Sequence, residues 1–347
     1  MINLIKNNPT HGHPARALIL LGLVACGNDA GVPPVPPPGP TPYELSVPAG
    51  FPAPEIPPDN PLTIEGIALG ERLFADPILS VDSTIACASC HLSAHAFSDP
   101  RPFSQGVGGV TSRNSMPLFN LLWSPSFFWD GRAASLEDQA LEPVEMPVEM
   151  GEDWDRVVVK LERHPEYPAF FARAFGDAPI DRQLVVQAIA QFERTLISAD
   201  SKYDRWLADQ AEFTPEEERG FILFHTEAGD CFHCHVAPLF TDNEFHNNGL
   251  DLDPPDEGLA ALTEKRLDRG KFKTPTLRNV EYTAPYMHDG RFQTLEEVVE
   301  HYDSGFHRTI LTDPLLLVRP NLELDPADKR ALVAFLKALS DPQLQAR

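Results

Sequence analysis

The chain has 347 residues, 42% hydrophobic and 23% charged, a balance that suits a soluble globular protein and a length that suits two modest domains rather than one. Acidic side chains outnumber basic ones by 51 to 28, a net charge of −23. Such a surface repels nucleic acid, and it either attracts a basic protein partner or simply keeps the chain soluble. No apolar run reaches the ~18 residues of a membrane-spanning helix.

Residues 1–25 place Lys6 and Arg16 ahead of an apolar stretch from Ala17 to Ala25, the layout of a secretory signal. The stretch ends Leu23-Val24-Ala25-Cys26 and resembles a bacterial lipoprotein signal. That resemblance implies lipidation of Cys26, with acyl chains giving stable anchoring. An ordinary signal peptide, or a buried helix with an incidental thiol, is the competing reading. Residues 26–60 are expected to form a tether, because 31–60 hold twelve of the 35 prolines and such a run is extended. The expected location is the periplasm, with membrane contact only through the lipid.

From residue 61 the pattern is short helices between loops, with no long alternation to argue for a sheet. Asp181–Ser198 and Asp325–Leu339 carry apolar residues at spacings of three and four, as amphipathic helices do. Thr214-Pro215-Glu216-Glu217 and Thr294-Leu295-Glu296-Glu297 read as capping boxes that start helices. A weak internal repeat runs through this part. Leu73-Phe74, Cys87-Ala88-Ser89-Cys90-His91, Phe97-Ser98-Asp99 and Asp130-Gly131-Arg132 recur as Leu223-Phe224, Cys231-Phe232-His233-Cys234-His235, Phe240-Thr241-Asp242 and Asp289-Gly290-Arg291. The expected fold is therefore mainly α and duplicated, with one domain at 61–200 and another at 201–347.

Two Cys-x-x-Cys-His motifs carry the chemistry. The spacing suits thioether bonds from Cys87 and Cys90, and from Cys231 and Cys234, to the vinyl groups of two c-type haems. His91 and His235 then coordinate the irons. A four-cysteine zinc site or a redox dithiol would use the same thiols, but neither needs a histidine after both pairs.

Further blocks resemble the bacterial di-haem cytochrome c peroxidases and the related MauG-type enzymes across about residues 61–340. They are Leu79-Ser80, Arg113-Asn114, Phe128-Trp129-Asp130-Gly131-Arg132, Ser135-Leu136-Glu137-Asp138-Gln139-Ala140 and Pro147-Val148-Glu149-Met150, then Thr274-Pro275-Thr276-Leu277-Arg278-Asn279-Val280, Thr283-Ala284-Pro285-Tyr286 and His288-Asp289-Gly290. The resemblance implies two cytochrome c-like haem domains, the first meeting peroxide and the second handling electrons. It implies that Glu149 moves the proton needed to split the O–O bond, with Gln139 as a neutral hydrogen-bonding neighbour. Read without it, Glu149 is one of several acids beside Glu142, Glu145 and Glu152. Trp129 is implied to carry electrons between the haems, the alternative being a core aromatic. Asn114 and the carbonyls of Thr283 and Pro285 match the family's calcium site, where oxygen ligands suit a hard cation.

Two departures from the peroxidase pattern stand out. The loop Ser104-Gln105-Gly106-Val107-Gly108-Gly109 lacks the histidine that blocks the first iron in many family peroxidases, so that iron is expected to be open when ferric. Fourteen residues after His288 stands Tyr302, as in MauG-type enzymes, where peroxidases place methionine. A tyrosinate ligand favours ferric and higher states. Met287, His301 and His307 are close enough in sequence to compete for that position.

The expected function is reduction of hydrogen peroxide to water with electrons from a small periplasmic redox protein, such as a monohaem cytochrome c or a cupredoxin. The alternatives are a MauG-like, peroxide-dependent oxidase of tryptophan or tyrosine in a partner protein, and a non-catalytic di-haem electron carrier.

Overall fold

The computed structural model describes residues 39–319 and 321–345. The expected secretory signal, Cys26 and the start of the expected tether lie outside the described residues. The architecture is helical: α1 (Ile64–Ala75), α2 (Leu136–Glu145), α3 (Trp154–Arg163), α4 (Tyr167–Phe175) and α5 (Arg182–Glu193), then α6 (Lys202–Leu207), α7 (Pro215–Phe224), α8 (Ala260–Thr263), α9 (Leu295–Glu300), α10 (Pro314–Val318), α11 (Pro326–Lys337) and α12 (Pro342–Gln345). The strands β1 (Phe245–His246) and β2 (Phe272–Lys273) pair antiparallel, Phe245 opposite Lys273.

Helix starts follow the side chains that can satisfy free backbone N–H groups. Thr214 and Thr294 form complete capping boxes with Glu217 and Glu297. Asp181 and Asp325 cap α5 and α11. Both of these helices end short of the span read from periodicity, and the reason is tertiary. Asn120 accepts from the Ser198 N–H at 2.9 Å, and its own N–H donates to the Leu196 carbonyl at 2.8 Å. Asn279 treats the second half alike, donating to the Leu339 carbonyl at 3.1 Å and accepting from the Asp341 N–H at 2.7 Å. These long-range partners draw the chain out of the helix before its apolar pattern ends.

The duplication extends to the packing. In the first half α1 crosses α5 so closely that a Cβ on Gly70 would lie 1.9 Å from the Ala188 carbonyl oxygen and 2.9 Å from Phe192 Cβ. In the second, α7 crosses α11 the same way, with Gly220 at 1.9 Å from the Ala331 oxygen and 2.8 Å from Phe335 Cβ. Each glycine stands three and four residues ahead of the Leu-Phe pair that precedes a haem-attachment motif. Each half has its own principal core, one from residues between Leu69 and Ile189, the other from residues between Tyr203 and Leu339, with smaller apolar clusters around Phe97 and Phe127.

The expected tether is not free along its whole length. Thr41 bonds Glu65 through N–H and hydroxyl, Tyr43 N–H reaches the Leu62 carbonyl, and Asn60 is buried. Phe51 lies against Trp123 at 5.1 Å between centroids and under the Arg278 guanidinium. Aromatic and polar side chains between the prolines give residues 41–60 partners on the folded part, which proline content alone does not reveal.

Candidate functional site

Each Cys-x-x-Cys-His motif opens with a 3-10 turn, Cys87–Ser89 and Cys231–His233. The turn folds the motif back on itself, so that His91 N–H bonds the Cys87 carbonyl and His235 N–H the Cys231 carbonyl, both at 3.0 Å. The two imidazoles are anchored alike: Nδ1 of His91 lies 3.0 Å from the Phe97 carbonyl oxygen, and Nδ1 of His235 lies 3.1 Å from that of Phe240. A carbonyl can only accept, so Nδ1 carries the proton and Nε2 keeps its lone pair, as a metal ligand requires. Burial also lowers both imidazole pKa values, partly opposed by these carbonyls, which favours the neutral ligating form.

The competing uses of the thiols fare poorly. Burial pushes the Cys87 thiol well up and the Cys231 thiol to about 12, far from the thiolate a redox dithiol needs. Among the described residues no metal-holding group brings the two cysteine pairs together.

In the second half, Cys231, Cys234 and His235 line one cavity with Tyr302 and Met287. Tyr302 lies in a π-turn over His301–Gly305. The amide Nδ2 of Asn248 lies 3.3 Å from both the Tyr302 Oη and the Met287 Sδ, so these two side chains converge. The other candidates are elsewhere: Nε2 of His301 is taken by the Asn248 carbonyl at 3.0 Å, and His307 is exposed. Burial raises the Tyr302 phenol to about 12, with the Asn248 amide working against that. His246 lines the cavity between Asp242 at 2.9 Å and Asp313 at 2.6 Å, and Asp242, with Cys234 and Asp313 beside it, raises its proton affinity.

Lys273 tests whether the cavity suits a haem. It is 6% exposed and lines the cavity, and among the described residues no carboxylate bears on its titration. Its ammonium bonds Ser124 Oγ and, at 2.6 Å, the Ser126 carbonyl, and burial lowers it to about 8. A buried cation beside a largely apolar cavity suits a flat apolar occupant with an anionic edge, as haem has in its propionates.

The first attachment site has two carboxylates near it. The charges of Glu193 and Glu149 both bear on the Cys87 thiol. Burial pushes the Glu149 carboxyl above the usual glutamate range, helped by Glu142 and opposed by Arg132. Glu149 follows α2, which carries the half-buried Gln139. The loop 104–109 holds it in place: Val107 N–H bonds the Glu149 carbonyl at 2.7 Å, and a Cβ on Gly106 would sit 2.1 Å from the Val148 oxygen. Only glycine permits that approach.

Between the halves, Trp129 is 8% exposed and its Nε1–H donates to the Asn114 carbonyl at 2.8 Å. Asn114 N–H in turn bonds the His288 carbonyl at 2.7 Å, and Lys273 N–H bonds the Trp129 carbonyl at 2.8 Å. Asn114, Trp129, Thr283 and Pro285 line the same cavity as His235. In the internal repeat Trp129 occupies the place of His288, and Phe128 that of Met287, both with left-handed backbones at φ +66° and +74°.

The sequence profile described as Di-haem cytochrome c peroxidase matches residues 64–212. The methylamine utilization protein MauG of Methylorubrum extorquens is 40% identical over 284 residues, 81% of this chain and 79% of that protein. The chain belongs to the di-haem cytochrome c peroxidase and MauG family. The cytochrome c peroxidase Ccp of Escherichia coli is 35% identical over 299 residues, 83% of this chain and 61% of that one. The crystal structure of a MauG-like protein associated with microbial copper homeostasis superposes with a TM-score of 0.82 at 35% identity, covering 87% of this chain and 97% of that one. Membership of this family implies two c-type haems and makes the protein an oxidoreductase of the cytochrome c peroxidase type. The duplicated helical fold agrees with it.

Three residues of these sites carry no signal in the sequence read alone. Asn248 and Lys273 sit in unremarked loops and strands, and Glu193 looks like one more polar residue on an amphipathic helix. Only the fold brings Asn248 and Lys273 to the cavity and Glu193 within electrostatic reach of Cys87.

Proposed function

We propose that this protein reduces hydrogen peroxide to water, taking electrons from a small periplasmic redox protein. The observation that carries the reading is Glu149, a half-buried carboxyl of raised proton affinity, fastened beside the first attachment motif by a loop without a histidine. When bound, the haems supply electrons and an iron position open to peroxide. The residues of the chain supply the rest. Cys87 and Cys90, with Cys231 and Cys234, hold the two haems by thioethers. His91 and His235 ligate the irons, and Tyr302 ligates the second. Glu149 accepts the proton of the inner peroxide oxygen and delivers it to the outer one, and Gln139 orients the peroxide by hydrogen bonding. Trp129 bridges the halves for electrons, so that 61–200 is the peroxide-reacting domain and 201–347 the electron-transfer domain. Asn114, with the carbonyls of Thr283 and Pro285, holds calcium at that junction. The acidic surface suits a basic donor, a monohaem cytochrome c or a cupredoxin, and Cys26 carries the lipid that tethers the protein to a membrane.

The test mixes all-ferric protein with peroxide and a reduced monohaem cytochrome c. Repeated oxidation of the cytochrome without prior reduction of the enzyme is expected. A six-coordinate low-spin spectrum for both resting haems would contradict the open first site and return the protein to the class of electron carriers.

One observation favours a second reading, peroxide-dependent oxidation of tryptophan or tyrosine in a partner protein. Tyr302 shares its cavity with His235, and a tyrosinate ligand makes a poor electron store. Under that reading the oxidised protein persists in the presence of the reduced cytochrome and is discharged by its protein substrate.

A further inference from the structure

Glu193 ends α5 at 3% exposure, and its Oε2 has no hydrogen-bond partner among the described residues. Its neighbour Arg194 does not neutralise it. That guanidinium is spent on Glu137 of α2 through two bonds of 2.7 and 2.8 Å, and Glu137 also accepts from Asn60. The elements around α5 offer nothing else. The stretch of α1 that crosses it is Gly70, Leu73 and Phe74, and Phe74 meets Phe192 at 5.3 Å between ring centroids. The charged groups of α1 are engaged elsewhere or face solvent: Glu65 with Thr41, Arg72 with Glu166, and Glu71 exposed. On α2, Asp138 is exposed and Glu142 pairs with Arg132, while Lys160 of α3 pairs with Glu152. The charges that bear on Glu193 are therefore Arg194 and Glu137, which act in opposite directions.

A carboxyl in such surroundings keeps its proton unless a positive charge favours the anion. Burial raises Glu193 to about 8, close to working pH. Cys87 lies within electrostatic reach of Glu193, the largest charged influence on its thiol. A haem attached at Cys87 brings a centre whose charge changes by one unit on reduction.

We propose that Glu193 is a proton-accepting group linked to the charge of the first haem, taking one proton from solvent when that haem gains an electron and releasing it when the electron leaves. The proposal rests on the reading that Cys87 and Cys90 attach a haem. The step balances as one electron from the external redox protein and one proton from solvent, and the bond that forms and breaks is the carboxyl O–H. Peroxide reduction to two waters consumes two protons with two electrons, and Glu193 would hold one of those protons inside the protein.

The test uses the di-haem holoprotein, with mass spectrometry first establishing haem at Cys87 and Cys90. Loss of haem there would defeat the attachment reading itself, separately from the role of Glu193. The reduction equilibrium of the first haem is then followed optically between pH 6 and pH 10, roughly two units either side of the about 8 given for Glu193. In the wild type it is expected to shift by up to about tenfold per pH unit inside that window. Glu193→Gln, which mimics the protonated form, is expected to flatten the dependence, whereas Glu162→Gln, an exposed carboxylate of α3, leaves it in place. A dependence kept in Glu193→Gln overturns the proposal. Should Glu193→Gln fail to fold, the reduced-minus-oxidised infrared spectrum of the wild type decides. A buried carboxyl C=O band appearing on reduction supports the assignment, and the absence of any such band overturns it.

Discussion

Gly106→Ala should cost the protein peroxide turnover while leaving both haems attached. The new Cβ would stand 2.1 Å from the Val148 oxygen, 2.6 Å from Glu149 Cα and 2.7 Å from the Glu149 oxygen, all backbone atoms that no rotamer can clear. A C···O contact settles near ~3.3 Å, so the loop and the Glu149 turn must part by about 1 Å. A misplacement of about 1 Å in a proton-transferring group costs on the order of 100-fold. Removing the group altogether with Glu149→Gln costs roughly 10²–10⁴. The assay is peroxide-dependent oxidation of reduced monohaem cytochrome c, with kcat and KM resolved and haem spectra recorded on the same samples. Because Gly106→Ala acts through Glu149, the double variant should be about as slow as Glu149→Gln alone. In the wild type, burial holds Glu149 above the ordinary glutamate value, so its base form is lost as pH falls through that raised value. The acid limb of kcat/KM should therefore lie above ~4.3 and vanish in Glu149→Gln. Wild-type turnover in a folded Gly106→Ala, or losses that simply multiply in the double variant, would refute the reasoning.

Three other perturbations probe the frame. Gly220→Ala drives a Cβ to 1.9 Å from the Ala331 carbonyl and should destabilise the second half by about 3 kcal/mol, seen as a lower Tm with loosened absorption of the second haem. Asp204→Asn leaves the fully buried Arg278 without its bidentate partner at 2.8 Å and should cost about 3 kcal/mol in urea unfolding at pH 7. Burial works to raise the Asp204 carboxyl, but the Arg278 bonds bring it below its usual value. Its stabilisation is thus present above ~3.9 and fades as pH falls, so the gap between variant and wild type should narrow toward pH 3. Tyr302→Phe removes the phenol that meets Asn248 and should change the ferric spectrum of the second haem while sparing the first. An unchanged spectrum would hand that iron position to Met287 or another group.

What could be read in advance follows from which interactions are local. Capping by Thr214, Thr294, Asp181 and Asp325 depends on neighbours within three residues, and the attachment motifs are contiguous, so both were legible. The ends of α5 and α11 were not, since Asn120 and Asn279 act on them from 78 and 62 residues away. The Gly70 and Gly220 crossings were hidden for the same reason: their shared spacing ahead of the Leu-Phe pairs is local, but the carbonyls of Ala188 and Ala331 that they meet are more than a hundred residues away. Glu149 could be chosen among its acidic neighbours only through resemblance, because its burial and its clasp by Val107 come from a loop some forty residues earlier.

The turn carrying Trp129 belongs by sequence to the first half, yet it walls the cavity of the second and bonds both Asn114 and Lys273. Whatever gene duplication produced the repeat, the copies have since lost their independence. The second half expressed alone would present an unfinished cavity, and a half transplanted from a relative would arrive with a Trp129 turn shaped for a different neighbour. Chimeras of such proteins should therefore succeed only when the Trp129 turn travels with the second half.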